Sequence, residues 1–323
     1  MADFWRAGVL AALTLALCGA ARAQTEALAA VTPASVVEPD VEQSIQTRLS
    51  STDRMLASVT IDGKGPYAFI VDTAAERSVI SRELAEALAL PEVGRSRLLS
   101  MTSVRDVTKV AVPDLSFLPG KKRDIEAFIL RETNIGAAGV LGIDALRGQR
   151  VVLDFKTQQL HVGPAPRRRA NARVENEVLV RARSRYGQLV LADSHIGGEP
   201  VDVIIDSGLQ VSVGNDALRR LLTTGRNRVQ TITLISVTGE TFTAEYTRAN
   251  KLVIGEAAFM DMPVAFAQAP FFARMKLTRR PALLLGMDSL RLFERVSVDF
   301  PNREASFLFP PGVRRERDSE PGG

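Results

Sequence analysis

The sequence predicts a mostly β protein made of two similar lobes with short helices, and three observations lead to this prediction. Short β-branched runs alternate with Gly, Pro and Asp, as in residues 56–61, which are followed by Asp62 and Gly63. This pattern is typical of strands joined by tight hairpins. A segment of the chain is also repeated, and each copy lies downstream of an apolar run that ends in Asp-Thr or Asp-Ser.

The repeated segment indicates a tandem duplication. Residues 142–155 contain GIDALR followed by RVVLDF, and residues 286–300 contain GMDSLR followed by RVSVDF. The first copy begins 70 residues after Asp72 and the second begins 80 residues after Asp206. Two ordered matches at similar spacing point to two homologous halves.

The duplication sets the expected organisation of the chain. We expect an N-terminal lobe over residues 49–163 and a C-terminal lobe over residues 177–310, with the basic, Pro-containing stretch 164–176 as the linker. Short helices are predicted only in a few places, notably over residues 82–89 and 216–222.

The N-terminal segment has the features of an export signal. Residues 7–20 are largely apolar, and the tripeptide Ala-Arg-Ala at 21–23 has small residues in a cleavage pattern. The run is short for a membrane-spanning helix but suits a secretory signal. We therefore expect a signal peptide over residues 1–23 and a periplasmic or secreted protein, with a retained N-terminal anchor as the alternative. Cleavage removes Cys18, the one cysteine, which excludes disulfides and thiol catalysis.

Charge and composition exclude other classes of function. The chain has 41 Lys+Arg and 37 Asp+Glu, a net charge of +4 over 323 residues. Its basic clusters lie in Pro- and Gly-rich stretches without interleaved aromatic residues, so we expect no nucleic-acid binding. Residues 24–48 show no clear periodicity and are predicted to be a flexible lead-in. Residues 311–323 have too little apolar surface to order themselves and are predicted to be a disordered tail.

Asp72 and Asp206 are the candidate catalytic residues. Each follows a fully apolar strand, in FIVDTAA at 69–75 and VIIDSG at 203–208. A lone carboxylate is unfavourable in such a place unless it is hydrogen-bonded or paired. Two facing carboxylates can share one proton, as aspartic-protease dyads do; the ionised member then activates a water while the protonated member donates to a carbonyl oxygen. This chemistry needs neither a metal nor a covalent intermediate, so we expect no cofactor.

The two Asp motifs resemble those of the retropepsin-like aspartic proteases. The Asp-Thr-Ala-Ala turn at 72–75 is matched with Val-Leu-Gly at 140–142, and the Asp-Ser-Gly turn at 206–208 is matched with Leu-Leu-Gly at 284–286. In that family an Asp-Thr/Ser-Gly turn packs beneath a later apolar-apolar-Gly strand. The resemblance spans roughly residues 50–310. It implies a bilobal aspartic-protease-like fold with both halves of the site in one chain, and an aspartic endopeptidase activity.

The resemblance also assigns roles around the dyad. It implies that Asp72 and Asp206 are catalytic, that hydroxyl-to-backbone bonds lock their two loops together, and that a glycine packs beneath each loop. The residues concerned are Thr73 and Ala74 in the first loop, Gly142 beneath it, Ser207 and Gly208 in the second loop and Gly286 beneath that.

A flap over the substrate is implied for each lobe. The better candidate is residues 231–246, with a turn formed by Thr238, Gly239 and Glu240. Its counterpart lies near residues 101–110, with a turn at 105–106. The expected partner is a peptide or protein in extended conformation, held by strand-like main-chain hydrogen bonds. Because the fused lobes complete the site, we expect a monomer, and no stable membrane association after signal cleavage.

One position departs from the family pattern. Ala74 stands where the family usually has glycine, and a methyl group there would crowd the partner loop or disfavour the required backbone angles. The alternative hypothesis is therefore a catalytically inactive pseudoprotease that binds peptides or proteins. A third interpretation has the lobes packed so that the two Asp turns never meet.

The other Asp and His residues are interpreted as structural. A metal site is not expected, because the two histidines lie in different lobes without clustered acidic ligands. The residues concerned are Asp144 and Asp288 as first-turn helix residues, Asp154 and Asp299 in strands, Asp193 in a hairpin, and His161 and His195.

Overall fold

The computed structural model describes residues 44–45, 47–49, 54–165, 176–223 and 229–310. The predicted signal peptide, most of the lead-in, most of the linker and the tail lie outside these residues. Within this part of the chain, no helix is long and apolar enough to cross a membrane.

The first lobe contains eleven strands and three helices in the described residues. Their bounds are β1 Ser44–Ile45, β2 Thr47–Leu49, β3 Met55–Ile61, β4 Lys64–Val71, β5 Val79–Ser81, α1 Arg82–Ala87, β6 Glu92–Leu99, β7 Val104–Leu118, β8 Lys121–Leu130, α2 Glu132–Ile135, β9 Gly139–Leu141, α3 Ile143–Leu146, β10 Gln149–Asp154 and β11 Gln159–Pro164.

Six of these strands form a closed barrel. They are paired in the order β3-β4-β9-β5-β8-β7, and the pairing of Thr60 with Ser116 joins β7 back to β3. The β3–β4 hairpin turns at Asp62 and Gly63, which have φ of 49° and 72°. Positive φ at both turn residues suits the right-handed twist of the flanking strands. The hairpin thus delivers β4, and the residue after it, to the middle of the lobe.

The second lobe repeats this arrangement. Its elements are β12 Glu177–Arg185, β13 Gln188–Leu191, β14 Ser194–Ile196, β15 Glu199–Pro200, β16 Asp202–Ile205, β17 Val213–Gly214, α4 Asp216–Leu222, β18 Gln230–Ile235, β19 Thr241–Ile254, β20 Ala257–Phe266, α5 Pro270–Arg274, β21 Ala282–Leu285, α6 Met287–Leu290, β22 Arg295–Asp299 and β23 Glu304–Leu308. The strands pair in the order β13-β16-β21-β17-β20-β19-β14, which matches the order of the first-lobe barrel. Two strands take the place of β3, because β13 pairs with β16 and β14 pairs with β19.

A six-stranded antiparallel sheet joins the two lobes. Its order is β1-β11-β10-β22-β23-β12, so the two copies of the repeated segment, β10 and β22, lie side by side. Arg150 lies opposite Asp299, and Asp154 lies opposite Arg295. Each strand therefore presents the same residue types to the other in reverse order. A single apolar core, with buried residues from both lobes, continues through this sheet.

The predicted mostly β, bilobal fold is confirmed. The helix expected over 82–89 is α1, which ends at Ala87, and the helix expected over 216–222 is α4. Ser81 accepts a hydrogen bond from the backbone N–H of Leu84, and Asn215 caps α4 in the same way through Leu218. Side-chain caps of this kind begin a helix at a defined residue.

The structure differs from two local predictions. The described end of the predicted flexible lead-in, residues 24–48, contains β1 and most of β2, which pair with β11 and β3. The turn expected at 105–106 lies at 100–103, because the Ser100 hydroxyl accepts hydrogen bonds from the backbone N–H groups of Thr102 and Ser103. Serine hydroxyls stabilise turns in this way.

Candidate functional site

Asp72 lies at the end of β4, in the centre of the first lobe. Parallel pairing of β4 with β9 places Val71 beside Leu141, and the backbone N–H of Asp72 donates to the carbonyl of Leu141 at 3.0 Å. The Asp72 Oδ1 atom accepts from the N–H groups of Ala74 and Ala75, both at 2.8 Å. The turn therefore fixes the orientation of the carboxylate.

Asp206 has the same surroundings in the second lobe. Ile205 lies beside Leu285, and the N–H of Asp206 donates to the Leu285 carbonyl at 3.0 Å. The Asp206 Oδ1 atom accepts from the N–H groups of Gly208 at 3.0 Å and Leu209 at 3.2 Å. The duplication seen in the sequence thus extends to individual hydrogen bonds.

Reciprocal hydrogen bonds tie the two Asp turns together. The hydroxyl of Thr73 donates to the Ile205 carbonyl at 2.8 Å, and the hydroxyl of Ser207 donates to the Val71 carbonyl at 2.8 Å. The N–H of Thr73 donates to Ser207 Oγ at 3.1 Å, and the N–H of Ser207 donates to Thr73 Oγ1 at 3.3 Å. The interpretation in which the turns never meet is therefore wrong.

The carboxylate of Asp72 rests on the backbone of Gly208. A Cβ atom built on Gly208 would lie 2.2 Å from Asp72 Oδ2, closer than real Cβ atoms come to other atoms. Gly208 does not have a positive φ, so the glycine is required by this contact and not by its backbone angles. The first carboxylate thus touches the loop that carries the second.

Ala74 takes the equivalent place in the first loop. It has no positive φ, so the expected conflict with the backbone angles does not occur. The residue is buried and belongs to an apolar cluster with second-lobe side chains such as Val213 and Leu284. Because one loop has a methyl group where the other has none, the two halves of the site are not equivalent.

The two predicted glycines lie directly against the chain that leaves each Asp turn. A Cβ on Gly142 would lie 2.6 Å from the carbonyl carbon of Arg77, and a Cβ on Gly286 would lie 2.8 Å from that of Val211. Any side chain at these positions would push the Asp turns out of place. Each glycine therefore packs against the backbone that follows one Asp turn.

Ser78 and Ser212 are site-supporting residues that the sequence reasoning missed. The hydroxyl of Ser78 donates to Asp144 at 2.7 Å, and that of Ser212 donates to Asp288 at 2.6 Å. Each hydroxyl also accepts a hydrogen bond from the backbone N–H of a nearby glycine, Gly142 for Ser78 and Gly286 for Ser212. Asp144 and Asp288 lie in the first turns of α3 and α6 as predicted. The signal for the serines was their position, six residues after each catalytic candidate.

The electrostatic surroundings of the two aspartates differ. Burial raises the pKa of Asp206 well above its ordinary value, and the nearby charge of Asp72 raises it further. Burial also raises the pKa of Asp72, but the N–H groups of Ala74 and Ala75 and the charge of Arg54 lower it. The environment therefore favours the ionised form of Asp72 over that of Asp206.

Arg54 is a second residue that the sequence reasoning missed. It is 9% exposed, and its guanidinium donates to the Ile135 carbonyl at 2.7 Å. Burial lowers its pKa, and the charge of Asp72 raises it. A cation immediately before β3, the strand paired with the Asp72 strand, was the available signal.

A cavity of about 280 Å³ is lined by both aspartates. Apolar side chains of the first lobe in its lining include Val79, Leu98, Phe128, Leu130, Ile135 and Val140. The lining also includes the charged residues Glu76, Arg77, Arg97 and Arg274. A concave apolar site with a few convergent polar groups is the usual form of a ligand-binding site.

Two hairpins, one from each lobe, border this cavity. The β6–β7 hairpin contributes residues 96–101, of which Met101 lies in the range predicted for the first flap, and the β18–β19 hairpin contributes Val237 from the range predicted for the second. Thr238 and Gly239 form the second turn, where Gly239 has a φ of +82°. A Cβ on Gly239 would lie 2.7 Å from the Oδ1 atom of Asn134 in the first lobe. This hairpin therefore reaches across the cleft.

Glu240 joins the two hairpins. Its carboxylate accepts hydrogen bonds from the hydroxyls of Thr102 and Ser103, the latter at 3.0 Å, and pairs with Arg105. These hydroxyl bonds lower the pKa of Glu240. Since both hairpins contribute to the cavity lining, this contact joins the two lobes beside the cavity.

Comparison with known proteins agrees with this arrangement. The profile of the family described as aspartyl protease matches residues 57–145 and 192–289, more than half of the chain. The chain belongs to the aspartyl protease family. The predicted two-lobed, retropepsin-like membership is confirmed, and it supports a protease-like function in general. No curated protein matches the chain significantly.

The Asp and His residues interpreted above as structural in this aspartyl protease family member lie outside the cavity lining. Asp154 accepts from the N–H of Thr157, and Asp299 accepts from that of Asn302, so both brace turns. Asp193 lies in the bend between β13 and β14. Among the described residues, no group of three His, Cys, Asp or Glu side chains could hold a metal ion; His161 and His195 lie in β11 and β14.

Proposed function

We propose that the protein is an aspartic endopeptidase with Asp72 and Asp206 as its catalytic dyad. The observation that carries this proposal is the reciprocal lock between Thr73 and Ser207, which places both carboxylates in one cavity. Membership of the aspartyl protease family supports the same chemistry.

In the proposed reaction Asp72 acts as the general base and Asp206 as the general acid. Ionised Asp72 takes a proton from a water, whose oxygen attacks the peptide carbonyl carbon, while protonated Asp206 donates its proton to the carbonyl oxygen. Asp72 then passes the proton it took from the water to the leaving nitrogen as the C–N bond breaks, and Asp206 takes a proton from a hydroxyl of the intermediate, which restores the starting protonation of both. The higher pKa of Asp206 supports this division of roles.

The proposed substrate is an extended peptide held beneath the two hairpins. The apolar first-lobe lining would receive a large apolar side chain next to the scissile bond. Because Glu240 links the two hairpins, we expect its contact with Thr102 to open when a chain enters between them.

The test compares residues 24–323 with the Asp72→Asn and Asp206→Asn variants on a diverse peptide mixture, from acid to neutral pH, with products identified by mass spectrometry. Asp193→Asn is the matched control, since this exposed residue carries the same chemical change away from the cavity. Cleavage by the parent and the control, lost in both dyad variants, is expected. A folded parent that binds peptides but cleaves none would instead support the pseudoprotease alternative.

We also propose that the protein acts as an exported monomer. The apolar run before residue 24 supports export, and the presence of both Asp turns in one chain supports a monomer. N-terminal sequencing of the protein from the periplasmic fraction and its mass by light scattering test these two points. Retention of residues 1–23 would support the anchor, and a stable dimer would refute the monomer.

A further inference from the structure

Gln188 connects the second lobe to the first Asp turn. It is the first residue of β13 and is fully buried. Its Nε2 atom donates to the backbone carbonyl of Ala74 at 2.6 Å. Ala74 lies two residues after Asp72, so the amide lies beside the candidate dyad.

The hydrogen bond to Ala74 fixes which way the amide of Gln188 points. If the amide were reversed, Oε1 would face the Ala74 carbonyl oxygen at 2.6 Å, and two acceptors would repel each other. Oε1 is therefore the atom turned away from the first loop. Within the described part of the chain this buried oxygen has no hydrogen-bond partner. Native proteins rarely leave a buried acceptor unsatisfied without a functional reason.

The unsatisfied oxygen belongs to a residue of the cavity wall. Gln188 lines the cavity together with Asp72 and Asp206. The charged groups of the lining have both signs, with Asp72, Asp206 and Glu76 as acids and Arg77 and Arg274 as bases. A neutral N–H satisfies the oxygen without adding a further charge to this set.

Gln188 has a different counterpart in the first lobe. Ile204 and Ile70 occupy equivalent positions, two residues before the dyad aspartates. Val190 pairs with Ile204, and Leu56 pairs with Ile70. The position two residues before Val190 therefore corresponds to Arg54. A guanidinium has donors but no acceptor, so the acceptor is provided on the second-lobe side alone.

We propose that Gln188 Oε1 accepts a hydrogen bond from a backbone N–H of the bound peptide, next to the scissile bond. This inference rests on the proposed function and makes Gln188 a substrate-positioning residue. Because Nε2 is held by the Ala74 carbonyl, Oε1 is the atom of the side-chain amide that is left to accept from the peptide. An extended chain offers N–H groups at alternating positions along its length.

The test uses a peptide whose scissile bond is replaced by a non-hydrolysable hydroxyethylene group, so that binding is measured without cleavage. Backbone amides flanking this group are replaced one at a time by esters, which lack the N–H donor. The parent and Gln188→Met, which has a side chain of similar length without the acceptor, are titrated by calorimetry. Melting temperatures confirm that both are folded.

One ester is expected to weaken binding to the parent roughly tenfold, the loss typical of one hydrogen bond. The same ester is expected to change binding to Gln188→Met by less than about twofold. Any general repacking in the variant cancels, because each comparison is made within one protein.

Equal effects of every ester on the parent and on Gln188→Met would overturn the inference. This result can coexist with normal peptide cleavage, so it leaves the proposed function intact. Conversely, an inert protein that shows the single-ester signature would retain the role of Gln188 and refute the endopeptidase. A folded parent that binds no peptide of the series would overturn both.

Discussion

Replacing Gly208 by alanine should disrupt the candidate dyad directly. The new Cβ would lie 2.2 Å from Asp72 Oδ2 and 2.5 Å from its Cγ, whereas real Cβ atoms essentially never come within 3.0 Å. The carboxylate and the second loop must therefore separate by at least about 0.8 Å, the difference between these distances. The N–H groups of Ala74 and Ala75 hold the carboxylate, so it cannot simply rotate away.

A displacement of this size at reacting groups lowers the rate by about 100-fold. We expect Gly208→Ala to reduce kcat/KM for a fluorogenic peptide by about that factor, and to destabilise the fold by about 1–3 kcal/mol through overpacking. The matched control is Ala74→Gly, which removes a methyl group from the equivalent position. It should keep activity within a few-fold and lose about 1 kcal/mol of stability in urea unfolding. Gly208→Ala with kcat/KM within threefold of the parent would refute the reasoning.

Three further perturbations test the electrostatics of the site. Arg54→Met removes a charge that lowers the pKa of Asp72, so the acid limb of the kcat/KM profile should move to higher pH; an unmoved limb would contradict the role of Arg54. Glu240→Gln should speed hydrogen exchange at the turn of residues 100–103, and unchanged protection would argue against the hairpin link. Acid pH should have the same effect on the parent, because a carboxylate with a lowered pKa loses its stabilising bonds as pH falls through that pKa. Asp206→Asn should raise the melting temperature at neutral pH but not at acid pH, and equal shifts at both pH values would exclude this explanation. A carboxyl with a raised pKa contributes stability below its unfolded-state pKa and loses that stability as pH rises through its folded-state pKa.

The parts of the site that could be predicted from the sequence are those written in short local patterns. Asp72 and Asp206 each follow an apolar strand and precede a hydroxyl residue. The repeated segment begins with Gly142 and Gly286, which lie at similar sequence separations from the two aspartates. Because both copies carry the same pattern, each supports the interpretation of the other.

The rest depends on contacts that local patterns do not encode. Gln188 and Arg54 gain their positions from strand register, and neither residue type marks a site by itself. Ala74 appeared disruptive in the sequence because its loop was compared with a glycine consensus, whereas its methyl group lies in an apolar cluster of the other lobe. The contact of Glu240 with Thr102 could not be foreseen while the first turn was placed several residues too late.

The sheet shared by the lobes bears on what half of this chain would do alone. In the whole protein β10 is covered by β22, and the Arg and Asp residues of the two strands lie opposite each other in reverse order. A separately produced first lobe would expose β10 as an unpaired edge, with Val151 and Leu153 from its buried face. Two such fragments can pair in the same register, setting Arg150 of one against Asp154 of the other around a two-fold axis. The covalent connection between the lobes thus replaces a concentration-dependent association with an intramolecular one.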